Sequence, residues 1–205
     1  MIRILIRLGI FLLLGTLTAL SITALMLAIM PEQPPAVSAD LSAPDSITLP
    51  AERQSVANGI YRLEITGESG WRSPTPMANF YKGDTLLWTK ALPHQYGPRF
   101  ALVSSAGQIV LFDEYINVAS PYAIALISPI GETIATHSFD DIQHFLQDVS
   151  RADLVRQATS GWWISSPPQI ENTLGEVEQN ALVKTGGTTL QISLTTGELS
   201  RRDDL

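Results

Sequence analysis

The side chains best suited to move a proton near neutral pH are three histidines, His94, His137 and His144, in a chain of 205 residues. His137, Asp141 and His144 come nearest to a metal constellation, because on a helix Asp141 and His144, three apart, share a face. The same aspartates have an ordinary use. Asp140 or Asp141 can cap a helix start, and His144 four before Asp148 makes a common surface pair. No metal is therefore expected. Asp113 and Glu114 close the apolar stretch 109–112. Adjacent residues of a strand point to opposite faces, so the two carboxylates cannot act as an acid and base on one substrate. A solvated strand end is the expectation for both.

His94 lies in the loop Pro93-His94-Gln95-Tyr96-Gly97-Pro98 without a partner in any motif. The chain has no Gly-x-Ser-x-Gly elbow, no Ser-x-x-Lys and no glycine loop leading into a helix to cradle phosphate. No catalytic residue and no cofactor are assigned on this basis. A triad is defined by geometry and not by order, so an extracytoplasmic hydrolase built on His94, Asp113 and Glu114 stands as the alternative. The aromatic residues offer binding instead. Trp162 and Trp163 are neighbours in what reads as a strand, which sends their rings to opposite faces; one fills the core and the other meets a second layer or a partner. Trp71 sits in the polar, proline-bearing stretch 67–79, which reads as a long loop. The candidate binding residues are Trp71, Trp162, Trp163, His94 and Arg99, the last two from the loop 94–99.

The compartment that must hold these residues is written at the amino terminus. Arg3 and Arg7 precede an uncharged, mostly apolar run over 8–30, and Pro31 ends it. At about 1.5 Å per residue that run spans roughly 34 Å, enough for a hydrocarbon core of about 30 Å. Both basic residues lie before it and Glu32 is the first charge after it, so the positive-inside rule keeps Met1 cytoplasmic and exports the remainder. The run is longer than a signal-peptide core, which favours a retained anchor, although Val37-Ser38-Ala39 before Asp40 offers a cleavage site. Gly15, Ala19 and Thr23 fall four apart, but a lone lipid-facing helix accounts for them. Past residue 30 the chain keeps all 20 acidic side chains but 11 of the 13 Lys and Arg, a net charge of −9. That excludes nucleic acid as a partner and disfavours anionic lipid. With no cysteine there is no disulfide scaffold and no thiol chemistry.

Residues 31–59 carry five prolines and read as a spacer; the domain is assigned to 60–205. There the period becomes two. Tyr61, Leu63 and Ile65 alternate with polar residues, as do Leu190, Ile192 and Leu194. The stretch 122–127 is apolar on both sides and suits a central strand. Glycine-bearing turns at 105–107, 128–131 and 186–187 separate strand pairs. One helix interrupts them, with Ile142, Phe145, Leu146 and Val149 as its apolar stripe and 152–157 as a short continuation. The tail 201–205 reads as a frayed polar end.

The segments Gly83-Asp84-Thr85-Leu86-Leu87-Trp88, 101–114, 125–138 and the strand-like Gly161-Trp162-Trp163-Ile164-Ser165 resemble β-propeller blade repeats of uncharacterised membrane-anchored bacterial proteins. The resemblance covers about residues 80–200 and implies two to three blade-like sheets packed together; a closed propeller needs at least four blades of roughly 40 residues each. It implies no activity. The fold expected is mainly β, antiparallel sheets in a partial propeller or sandwich with one or two short helices, preceded by one transmembrane helix. The function expected is a non-enzymatic, membrane-tethered module that binds another envelope or membrane protein, or cell-wall glycan.

Overall fold

Residue alternation organises three sheets in the computed structural model, which describes residues 50–67, 73–115, 119–171 and 180–202. Sheet 1 holds β1 (Arg53–Asn58), β2 (Tyr61–Thr66), β3 (Met77–Lys82) and β4 (Thr85–Ala91). Sheet 2 holds β5 (Pro98–Val103), β6 (Ile109–Glu114), β7 (Ile124–Ile127) and β8 (Thr133–His137). Sheet 3 holds β9 (Gln169–Glu171), β10 (Asn180–Thr185), β11 (Thr188–Ser193) and β12 (Leu199–Arg202). Each is an antiparallel meander in chain order, and the helices α1 (Phe139–Phe145) and α2 (Arg151–Arg156) lie in the connection between sheets 2 and 3. The chain is thus mainly β, as its periodicity indicates.

Sheet 2 is the middle layer because β6 and β7 are apolar at every pleat position from Ile109 to Phe112 and from Ile124 to Ile127. Ile109, Leu111, Ala125 and Ile127 pack with Leu63, Ile65, Ala78 and Phe80 of sheet 1. The intervening residues Val110, Phe112, Ile124 and Leu126 pack with Ala181, Val183, Leu190 and Ile192 of sheet 3. Phe139, Ile142, Leu146 and Leu154 bring the helices onto the second core. Burying one such side chain contributes about 1.5–3 kcal/mol, so strands covered on both faces are the most firmly held part of the fold. The β10–β11 hairpin turns through Gly186 and Gly187, both with positive φ (55° and 79°), as a two-residue loop requires. Gly197 (φ 77°) crosses so close to β8 that an added Cβ would stand 2.2 Å from the Ala135 Cβ.

Several expectations need correction. The first strand is β1, which falls inside the stretch assigned to the spacer; Val56 is its one sizeable apolar residue, so no pattern announces it. Helix α1 is capped by Ser138 and not by an aspartate. The Ser138 hydroxyl accepts from Asp141 N–H (3.1 Å) while Asp141 Oδ2 accepts from Ser138 N–H (2.8 Å), a reciprocal box that consumes Asp141. Arg201 and Arg202 end β12 instead of fraying, each holding a carboxylate through two short contacts, Asp148 and Glu171 respectively. The apolar run 8–30, most of the spacer and Trp71 lie outside the described residues; among those described, no helix is long and apolar enough to cross a membrane.

Candidate functional site

The chemistry-bearing residues converge at one end of sheet 2. The pairs Pro98–Glu114 and Phe100–Phe112 set Arg99 opposite Asp113 across β5 and β6. A regular pleat would aim Asp113 with Ile109 and Leu111 towards sheet 1. Its backbone is instead left-handed (φ 59°), which turns the carboxylate towards the segment 159–165. Aspartate tolerates that conformation better than most residues, at a cost of about 1–3 kcal/mol. Tyr96 shares it (φ 58°), one residue past Gln95, whose N–H donates to Glu114 Oε1 (2.9 Å). The two carboxylates therefore do diverge, but both are buried and neither is a solvated strand end.

Asp113 is closed off completely. Its Oδ2 accepts from the Trp162 N–H (2.9 Å) and its Oδ1 from the Glu114 N–H (3.0 Å). Arg99 Nε stands 3.6 Å from Oδ2 and makes no hydrogen bond. Burial pushes the Asp113 carboxyl up to about 6, against the pull of the Trp162 N–H, the Arg99 charge and the Glu114 N–H. Gly161 belongs here of necessity, because an added Cβ would lie 2.8 Å from Asp113 Oδ2.

Above the carboxylate lies a partly exposed surface. The Arg99 side chain is 24% accessible. Its guanidinium sits 4.9 Å from the Tyr115 ring centre and 5.4 Å from that of Trp162, and it donates to the Tyr115 carbonyl (3.2 Å). The Trp162 indole donates from Nε1 to the Glu114 carbonyl (2.9 Å). A cation over an aromatic face is worth about 0.5–2 kcal/mol, so the two rings help fix the guanidinium in place.

No protein-family model, curated protein or solved structure matches this chain.

His94 precedes Gln95 in the chain and is fully buried, with its ring 5.8 Å from that of Tyr122. Burial lowers it to about 4, offset slightly by the nearby Tyr122 backbone; neither ring nitrogen reaches hydrogen-bond geometry. The expected strand at 161–165 is absent: these residues form an irregular segment, since Gly161 must press against Asp113. Trp163 is wholly buried in the second core and its carbonyl accepts from Thr185 Oγ1 (2.7 Å), so of the adjacent tryptophans Trp162 alone faces the site. His137 donates from Nε2 to the Gly197 carbonyl (2.8 Å), and His144 lines a shallow surface depression with Asp140, Gln143 and Gln147. Among the described residues no three His, Asp or Glu side chains are placed to share an ion. Sequence reasoning did not find Gly161 or Tyr122. A glycine before two tryptophans was the available signal for the first.

Proposed function

We propose that the protein is a membrane-tethered, extracytoplasmic binding module without catalytic activity, engaging another envelope or membrane protein, or cell-wall glycan. The tether is the apolar run 8–30 and the placement follows from Arg3 and Arg7. One observation carries the binding role: the part of the corner that meets solvent is an arginine flanked by two aromatic rings, Arg99 with Tyr115 and Trp162. Arginine, tyrosine and tryptophan are the residue types that dominate binding energy at interfaces. The test is a crosslinked pull-down of the full chain from its native membranes, alongside co-sedimentation with insoluble cell wall. Retention by the wild type and loss in Arg99→Gln and Tyr115→Ala, both folded by circular dichroism, is the expected result. Equal retention, or none, would refute the assignment.

A second reading, an extracytoplasmic hydrolase, rests on the buried carboxylates Asp113 and Glu114, the latter bonded to the N–H of Gln95, the residue after His94. Against it, no carboxylate orients either nitrogen of His94, the arrangement a general base needs. Hydrolysis of a peptide, ester or glycan library that disappears in His94→Ala would reverse the order of the two readings. We also read the three stacked meanders as blade-like sheets of an open, partial propeller, which the unbroken strand order in each supports. An experimental structure in which strands are exchanged between sheets would overturn it.

A further inference from the structure

The inner face of sheet 1 packs on sheet 2, and its outer face meets solvent along β1, β3 and β4. Strand pairing lays that outer face out in rows. Ser55, Glu64, Asn79 and Thr89 make a polar row across its middle. The next row towards the hairpin turns, Ala57, Arg62, Tyr81 and Leu86, changes character because β4 bulges there. Trp88 pairs with Phe80 and Leu86 with Tyr81, so Leu87 has no partner of its own in β3. A bulge sets two residues against one, and here Leu86 and Leu87 are left 50% and 41% exposed. Ile60, 58% exposed, stands in the β1–β2 turn. Its carbonyl accepts from the Gly83 N–H (2.7 Å) of the β3–β4 turn, which fastens the two hairpin ends together. Three aliphatic side chains thus reach solvent at one end of the sheet. Cations held over tyrosine rings border them: the Arg62 guanidinium is 4.5 Å from the centre of Tyr81 and the Lys82 ammonium 5.7 Å from that of Tyr61.

We propose that this end of sheet 1 seats on the surface of an anionic lipid bilayer. Ile60, Leu86 and Leu87 enter the boundary between headgroups and acyl chains, and Arg62 and Lys82 meet the phosphates. Aliphatic tips flanked by tyrosine and by lysine or arginine match that boundary, where hydrocarbon takes the first and the polar layer takes the others. The net charge of the exported part speaks against anionic lipid, but the charge is divided unevenly. Residues 53–91, which form sheet 1, carry five Lys and Arg against three Asp and Glu, whereas residues 92–205 carry six against thirteen. A negative surface therefore attracts sheet 1 and repels the rest, which selects this face among those of the domain. The seat rests on the reading of 8–30 as a bilayer anchor and is independent of the partner at the Arg99 surface. Chain length permits it. Residues 31–52 can reach at most about 75 Å, while β1, from its entry at Arg53 to the hairpin end, is about 20 Å long.

The chain has no cysteine, so one introduced at an exposed position carries a nitrobenzoxadiazole dye at that position alone. The full chain is reconstituted into vesicles of phosphatidylcholine and phosphatidylglycerol that hold no other protein. The dye on Ile60→Cys should be quenched by spin-labelled lipid and shielded from aqueous iodide, while that on Thr195→Cys, in the exposed β11–β12 turn, stays open to iodide. Adding Lys82→Glu to the Ile60 variant should lower the ratio of shielded to open dye at least about fivefold, and salt at about 1 M should act in the same direction. Flotation of the same vesicles separates the two readings. A chain that does not float overturns the anchor and the seat together; one that floats with the Ile60 dye open to iodide overturns the seat alone. Shielding that grows with the protein-to-lipid ratio would give the face to a second copy, and shielding confined to native membranes would give it to a partner protein. Either result, or an unchanged ratio in Lys82→Glu, overturns the lipid seat.

Discussion

Replacing His94 with phenylalanine should remove an acid sensitivity that Asp113 conceals in the wild type. His94 is buried without a charged partner, so burial disfavours its protonated form. Its folded value of about 4 lies below the ordinary 6.5, and stability is complete above 6.5 and lost as pH falls through 4. At about 1.36 kcal/mol for each pH unit between those values, the full loss is about 3 kcal/mol. Asp113 acts in the opposite sense. Held at about 6 and not 3.8, it stabilises the fold below 3.8 and costs stability as pH rises through 6. From pH 7 to pH 4.5 each effect amounts to about 2 kcal/mol, so they nearly cancel. The informative comparison is Asp113→Asn against the double variant Asp113→Asn, His94→Phe, by urea unfolding of the full chain at both pH values. The single variant should lose about 2 kcal/mol more than the double on acidification, a difference of about 1 M in urea midpoint at a slope of about 2 kcal/mol per molar. Equal losses would show that His94 does not titrate as its burial requires.

Ser138→Ala should destabilise the domain by about 1 kcal/mol through loss of the α1 cap. The Ser138 hydroxyl and N–H are the main reason the Asp141 carboxyl lies below its ordinary value, so a carbon-13 titration of Asp141 should move upward in that variant. Gly197→Ala combines a left-handed backbone with a methyl group driven into Ala135, and should cost about 2–4 kcal/mol in urea unfolding. Trp163→Ala, emptying a fully buried site in the second core, should cost about 3–5 kcal/mol, whereas a residue serving only as a binding contact would leave the unfolding midpoint unmoved.

What the sequence conveyed and what it withheld divide along the range of the forces involved. Alternation reports the face of a strand, and so Leu63, Ile65, Leu190, Ile192 and the doubly buried β7 could be placed from the apolar pattern alone. Glycine turns report positive φ, and so the β5–β6, β7–β8 and β10–β11 hairpins were legible. β1 was not, because an edge strand with one sizeable apolar residue is held by ladder bonds to β2 that no side-chain pattern encodes. The cap of α1 was misplaced by competition between neighbours: Ser138 and Asp141 can both cap, and the reciprocal box satisfies both at once.

The Asp113 corner was half visible, and the reason is instructive about where function arises. His94, Arg99, Asp113, Glu114 and Trp162 could each be singled out by type, but contacts such as Trp162 N–H to Asp113 close over 49 residues of chain, and no local pattern reports a partner that distant. The left-handed turn at Asp113 is equally silent, since Phe112-Asp113-Glu114 carries no glycine to mark it. Yet that turn converts two carboxylates expected to face water into a buried pair aimed at different segments, with Arg99 3.6 Å from Asp113. A fold that spends stability to bury a carboxylate, strain its backbone and keep the neighbouring guanidinium partly exposed has concentrated its least relaxed chemistry at one surface. Strain of that kind persists only where the surrounding structure enforces it, and here the enforcing contacts are the hydrogen bonds that Trp162 and Gln95 make to Asp113 and Glu114.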